Sequence, residues 1–374
     1  MLTYFKDQKQ AMIDEIIEFV RYETPSRVKV AVDALGAVMA EKFQQLGAQV
    51  TRFEQNEVGD LLWAKWNTDA PGKPILFLVH IDTVWDIGTL EDFPVRIEDG
   101  LLYGPGAVDM KGGIVVMLTA LRGLIAQAQL PNRPIQVLVN TDEEIGSRHS
   151  QGLIQDIARN AALVLVMEPG TPEGALKTWR KGIATYRVHV EGRAAHAGNT
   201  PEQGINAIVE LSQQILKLHA LNDLKYGTSV STTLIEGGSA GNVIPAKASA
   251  YLDTRFMHLN AMERIANEVM NLYPFTPGAN VWAEKVHHRP PMEHNALMRE
   301  TFERAKAIAQ AHDITLREEG SGGGSDGNFT AAMGIPTLDG LGPQGDGLHA
   351  RHEQVVISSL ATRAALIAAL LQNW

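Results

Sequence analysis

No cysteine occurs in the 374 residues, so the chain has no disulfide, no thiolate metal ligand and no cysteine nucleophile. Any metal ion must be held by nitrogen and oxygen. No apolar run approaches the roughly 18 residues of a membrane-spanning helix, and no membrane span is expected. The N-terminal stretch mixes charges at helical spacing and lacks an apolar signal core, which makes a cytoplasmic protein the expectation. Positive charge is also scarce. Lys and Arg number 33 against 43 Asp and Glu, a net charge of -10, and no basic run could track a phosphate backbone, so nucleic acid is not an expected partner. Small-molecule chemistry is what remains.

The hydrophobic fraction of 45% and the charged fraction of 20% are those of an ordinary globular enzyme. The length exceeds that at which one core keeps growing, so two domains are expected. Up to about Glu168, helical stretches such as that following Gly113 alternate with apolar runs, which is the pattern of an α/β fold with a mostly parallel central sheet. After Lys181 the character changes to period-two strands (184–191, 229–235, 248–256) around a helix at 204–218. Residues 181–288 therefore read as a smaller inserted α+β domain. The larger domain is discontinuous, comprising 1–180 and 289–374.

Three apolar runs end in residues that ligate metals. Residues 74–79 lead to His80 and Asp82, residues 135–139 lead to Glu143 and Glu144, and residues 163–167 lead to Glu168. Ligands of parallel sheets gather at the carboxyl ends of the strands, so these residues aim at one place. A histidine with several carboxylates there suits a divalent cation. Residues i and i+2 of an extended segment share a face, so Asp82 can accept from the His80 ring nitrogen that the metal leaves unused. Glu143 and Glu144 would point to opposite sides of a strand end, one as ligand and one as general base; a solvated surface pair is the alternative. Glu168 could be a plain loop carboxylate, and Asp109, before a predicted helix, could simply cap it. His349 or His352, in a glycine-rich loop, could complete a second metal's ligands or lie on the surface.

Taken together, His80-x-Asp82, Gly106-x-x-Asp109, Asp142-Glu143-Glu144-x-Gly146, Glu168-Pro169 and Gly347-x-His349 resemble the M20 metallopeptidase family. Within it the chain is most similar to glutamate carboxypeptidases of the carboxypeptidase G2 type. Further matching stretches run through His196, Asn242, Asp253-Thr-Arg255 and Gly322 to Asp326, so the likeness spans nearly the whole chain. The resemblance implies two zinc ions per chain bridged by Asp109, one completed by His80 and Glu168 and the other by Glu144 and His349. Cobalt or manganese could satisfy the same ligands. It implies that Asp82 orients His80, and that Glu143 deprotonates the bridging water and passes the proton to the leaving amine. It further implies that the inserted domain is a lid and homodimerisation module, and that His196 stabilises the oxyanion, typically in the partner subunit's site. Asn242, Arg255 and the backbone near Gly324 match positions that hold the substrate α-carboxylate, and Arg289 matches one recognising a glutamate-like side chain. The substrate implied is a small N-acyl amino acid or short peptide, from which a C-terminal glutamate is released.

Three other readings compete. A related deacylase, removing acetyl or succinyl, or a dipeptidase would share the metal centre and differ in the pocket. A binding module without turnover would lack the base or a ligand, and both are present. A serine hydrolase could use Ser325 in Gly323-x-Ser325-x-Gly327, followed by Asp339 and His349; the matching Ser239 is followed by Asn-Val-Ile-Pro, which is no helix start.

Overall fold

The structure, a computed structural model, describes residues 2–374. It divides into two compact units. One is formed by the chain up to Trp179 with His294–Ser321 and Ser325–Trp374, the other by Arg180–Glu293 with Gly322–Gly324.

The first unit is built on a six-stranded sheet in the order Gln49–Phe53, Leu61–Trp66, Ile135–Asn140, Ile75–His80, Leu163–Val166, Thr337–Leu338. The last four strands run parallel, while Leu61–Trp66 is antiparallel to both neighbours. This is the mostly parallel α/β sheet that the apolar runs imply. Side chains alternate across it. Ile75, Phe77 and Val79 pack in the core shared with the helices Gly112–Ala126 and Leu360–Asn373. Leu76 and Leu78 face the other way, into a core with Ile154 of the helix Gln151–Ala158 and Phe329 of Gly327–Ala332. A strand covered on both faces has no polar side, which is why residues 75–79 read as an unbroken apolar run. Each such side chain, fully buried, contributes about 1.5–3 kcal/mol.

Register places the functional ends. Leu78 lies opposite Val166 and His80 opposite Asn140, so His80, the turn after Asn140, and Glu168 leave the sheet at one edge. The helix Gly112–Ala126 is buried almost all round and comes close to that edge. A Cβ on Gly113 would lie 2.0 Å from the Met167 carbonyl oxygen, so only glycine lets this helix approach the residue before Glu168.

The second unit is a four-stranded antiparallel sheet ordered Ser229–Gly237, Lys247–Phe256, Gly182–Glu191, Asn280–Arg289. The helices Ala207–His219 and Leu259–Met270 supply the core that packs on it, and Asn206 caps the first by accepting from the Ile208 and Val209 amides. The strand Asn280–Arg289 and the helix Leu259–Met270 are additions to the sequence reading. The strand carries mostly polar side chains and a register shift near Lys285, which erase the period-two signal. The helix did leave a trace, because Met262, Ile265 and Val269 share one buried face. Among the described residues no helix is long and apolar enough to cross a membrane.

Two glycine substitutions should separate close approach from simple flexibility. Gly113→Ala is expected to cost about 3 kcal/mol or more through overpacking against backbone. Gly152→Ala, in a helix with no atom within 4 Å of the new Cβ, should gain up to about 1 kcal/mol. Urea unfolding of both variants measures the pair, and equal effects would refute the packing argument.

Candidate metal centre and active site

At the carboxyl edge of the sheet the structure brings five of the expected ligands into two groups, His80 with Asp109 and Glu168, and Asp109 with Glu144 and His349. Asp109 belongs to both. Its Oδ1 lies 3.2 Å from His80 Nε2 and its Oδ2 lies 3.4 Å from His349 Nε2. His80 Nε2 is 3.4 Å from Glu168 Oε1, and His349 Nε2 is 3.2 Å from Glu144 Oε2. Asp109 does not cap a helix: no side-chain cap is made at Gly106 or Lys111. The peptide bond between Asp109 and Met110 is cis. His349 adopts a left-handed φ of 60°, uncommon for a residue with a Cβ, while His352 is exposed.

The electrostatics are those of a site that draws positive charge. Hydrogen bonds with Asp109 and then Glu144 push the His349 imidazole up to about 11. Burial, followed by the Asp109 charge, pushes the Glu144 carboxyl up to about 8. Burial alone would disfavour a charged His80, but its bonds with Asp109, Asp82 and Glu168 outweigh it and hold the ring protonated well above its usual range. Two imidazoles and three carboxylates disposed in this way fit divalent cations that take nitrogen and oxygen donors.

Asp82, fully buried, does more than face His80. Its carboxylate lies 3.5 Å from His80 Nδ1, and its own carbonyl oxygen is closer, at 3.0 Å, so the backbone holds the ring at least as directly as the side chain does. The carboxylate accepts from Ser26 Oγ at 2.7 Å and from the amides of Glu143 and Glu144 at 3.3 and 3.2 Å. Those two glutamates lie in one 3-10 turn, Glu143–Ile145, not at an extended strand end, and Asp82 fastens that turn to the His80 strand. Glu144 joins the second ligand group; Glu143 lines a small recess with His80, Glu168 and Asp326.

Two anchors escaped the sequence reading. Glu353 is buried without exposure, and it accepts from Trp85 Nε1 and the amides of Gly106, Val108 and Asp109 at 2.8–3.2 Å. Burial, then the Asp109 charge, pushes its carboxyl up to about 7. Asp326 accepts from Asn140 Nδ2 at 2.6 Å and Ser147 Oγ at 2.5 Å, bracing the turn that carries Glu143 and Glu144. Their acidic side chains were visible as residue types, but nothing local marked them as acceptors for distant loops.

The serine-hydrolase reading is overturned. Ser325 is fully buried and donates from Oγ to Asp339 at 2.5 Å while accepting from the Gly327 amide, and His349 is committed to Asp109 and Glu144. Among the described residues Ser325 makes no hydrogen bond to a histidine. In the second unit, exposed His196 accepts from the Gly198 and Asn199 amides at Nδ1, which leaves Nε2 as the N–H donor. The Asn242 carbonyl accepts from the Ala197 amide, so His196 and Asn242 are on adjoining segments. Arg255 already holds Asp253 through Nε and Nη2, at 2.7 and 2.9 Å. Arg289 is buried, and a Cβ on Gly324 would meet its Cδ at 2.8 Å.

A parallel-sheet domain with imidazoles and carboxylates gathered at its carboxyl edge has the build of a metal-dependent hydrolase. Residues 76–373 match the model of peptidase family M20/M25/M40, and the chain belongs to that family of metal-dependent hydrolases. It is 32% identical to carboxypeptidase G2 of a Pseudomonas species, over 98% of this chain and 90% of that one. It is 28% identical to succinyl-diaminopimelate desuccinylase of Alkalilimnicola ehrlichii, over 90% and 92%. Aminopeptidase PepT from Bacillus cereus shares the fold, with a TM-score of 0.77 at 22% identity and 98% of each chain covered.

The Glu353 anchor has a measurable consequence. Glu353→Gln puts an amide N–H against backbone donors and should cost about 2–4 kcal/mol of stability. Exposed Glu303→Gln should stay within about 0.5 kcal/mol. Equal urea midpoints for the two variants would refute the anchoring role.

Proposed function

We propose that the protein is a dizinc exopeptidase that hydrolyses an amide bond and releases a C-terminal amino acid, glutamate, from an N-acyl or peptidyl substrate. The observation that carries this reading is the sharing of Asp109, one oxygen toward His80 and the other toward His349. His80, Asp109 and Glu168 would hold one ion and Asp109, Glu144 and His349 the other, with cobalt or manganese fitting the same donors. When bound, the ions supply Lewis-acid polarisation of the scissile carbonyl. Glu143 takes the proton of the attacking water and delivers it to the leaving amine. Asp82 keeps the His80 ring and the Glu143 turn in register. His196, with its Nε2–H outward, donates to the developing oxyanion. Asn242 and the Gly324 backbone receive the α-carboxylate, together with the Nη1 side of Arg255 that Asp253 leaves open. Arg289 supplies the cation that a glutamate side chain requires. Residence in the cytoplasm is part of the same proposal, which the desuccinylase likeness supports.

Elemental analysis and kinetics test this together. About two ions per chain are expected, falling in Asp109→Ala. Glu143→Gln should retain metal while kcat drops by roughly 100- to 10,000-fold. Among N-acyl amino acids with Glu, Asp, Leu, Arg and ornithine as leaving groups, the acidic ones should react fastest. A preference for basic leaving groups would instead favour an N-acyl-amino-acid deacylase of the acetyl- or succinyl-removing kind, the second reading, which the desuccinylase likeness supports; a dipeptidase is its near variant.

The second unit supports a homodimer. Ser229–Gly237 is an edge strand, with Leu234 and Ile235 exposed, and Ile208, Val209 and Leu216 exposed on the helix Ala207–His219. An open apolar edge of this length is a template for pairing with a second copy. Sedimentation should show a dimer that Leu234→Glu with Ile235→Lys dissociates. A wild-type monomer at micromolar concentration would end this part of the proposal.

A further inference from the structure

The C-terminal helix carries a charge that the reaction does not use. Arg363 is 4% exposed, and among the described residues it forms no ion pair; its one hydrogen bond runs from Nη2 to the Gly174 carbonyl at 2.9 Å. A guanidinium offers five N–H donors, and a buried cation without a counter-charge is costly. Burial brings it down to about 10. On one side Arg363 is walled by backbone, since a Cβ on Gly170 would lie 2.4 Å from Nη2. On another it borders a cavity of about 170 Å³, whose polar lining comes from Thr315, Gln344, Ser358, Ser359 and Thr362. No acidic side chain lines this cavity, although the chain carries 43 of them. Glu173 and Asp313, adjacent in sequence to lining residues, are exposed and make no ion pair with Arg363.

The cavity also sits at a helix start. Ser358 and Ser359 belong to the 3-10 turn Ile357–Ser359, which runs directly into the 14-residue helix Leu360–Asn373. Ser359 Oγ is engaged by the Val356 carbonyl and the Gln344 amide, so the positive end of that helix dipole and the hydroxyls of Ser358, Thr362 and Thr315 are what favour an anion. The volume holds one small ion with some of its water, each water needing about 30 Å³.

We propose that this cavity is a binding site for a small tetrahedral oxyanion, seated between the buried guanidinium of Arg363 and the first turn of the C-terminal helix. Phosphate and sulfate share the chemistry: acceptor oxygens on every side, matched to a planar fork of donors and to hydroxyls. The bound ion completes the partners of Arg363 and ties the first turn of the helix to the 170–174 segment just beyond Glu168.

The test uses the metal-loaded protein with inorganic phosphate, sulfate or acetate at fixed ionic strength, against chloride. Phosphate and sulfate at 10 mM should raise the melting temperature by about 2 °C or more, and acetate by less. By calorimetry Arg363→Met should weaken phosphate binding at least tenfold. Because that variant removes a buried side chain, Ser358→Asp provides a second check. It places a carboxylate at the exposed rim and at a helix N-terminus, so it should raise the melting temperature without phosphate and abolish the phosphate response. No response in the wild type, or an undiminished response in both variants, would overturn the site. An equal response to acetate would overturn the tetrahedral assignment.

Discussion

Buried negative charge at the carboxyl edge of the central sheet is the constraint around which the first unit is organised. Asp109, Glu144 and Glu168 converge on two imidazoles, and Asp82 and Glu353 lie directly behind them with no exposure. Carboxylates packed this densely are tolerated only where each oxygen meets a donor or a cation. The structure separates those two solutions. The front three meet imidazoles in a geometry that also suits metal ions, and the rear two are satisfied by N–H and O–H groups.

The rear pair explains how loops with little regular structure hold a demanding geometry. Asp82 collects Ser26 and the two amides of the Glu143 turn. Glu353 collects three amides of the Asp109 segment and the Trp85 indole. In both cases a carboxylate far away in the chain does for a loop what a neighbouring strand does for a sheet. Supports of this kind are what keep a site within the tolerance that chemistry requires. Asp326 extends the same principle to Asn140 and Ser147.

In the second unit, too, polar groups are committed to partners of their own chain. Asp253 occupies two donors of Arg255. The His196 ring is fixed in one tautomer by two amides of its own turn.

The α/β class and the residue types that could ligate a metal were legible in the sequence because both are written locally. Strands covered on both faces are largely apolar, as residues 75–79, 137–139 and 163–166 are, and residue types that can ligate a metal follow near their ends. Motif order added Asp109 and His349. The pairing of Leu78 with Val166 and the close approach at Gly113 were decided only by tertiary structure, since each depends on which distant backbone arrives alongside. So too was the fate of Ser325, whose motif matches the elbow pattern but follows a polar, glycine-rich lead-in from Arg317 to Gly324, and whose hydroxyl meets Asp339. Glu353 and Asp326 mark the limit most clearly: an acidic residue in sequence carries no record of which amides it will face, because hydrogen-bond partners separated by hundreds of residues are set by packing alone.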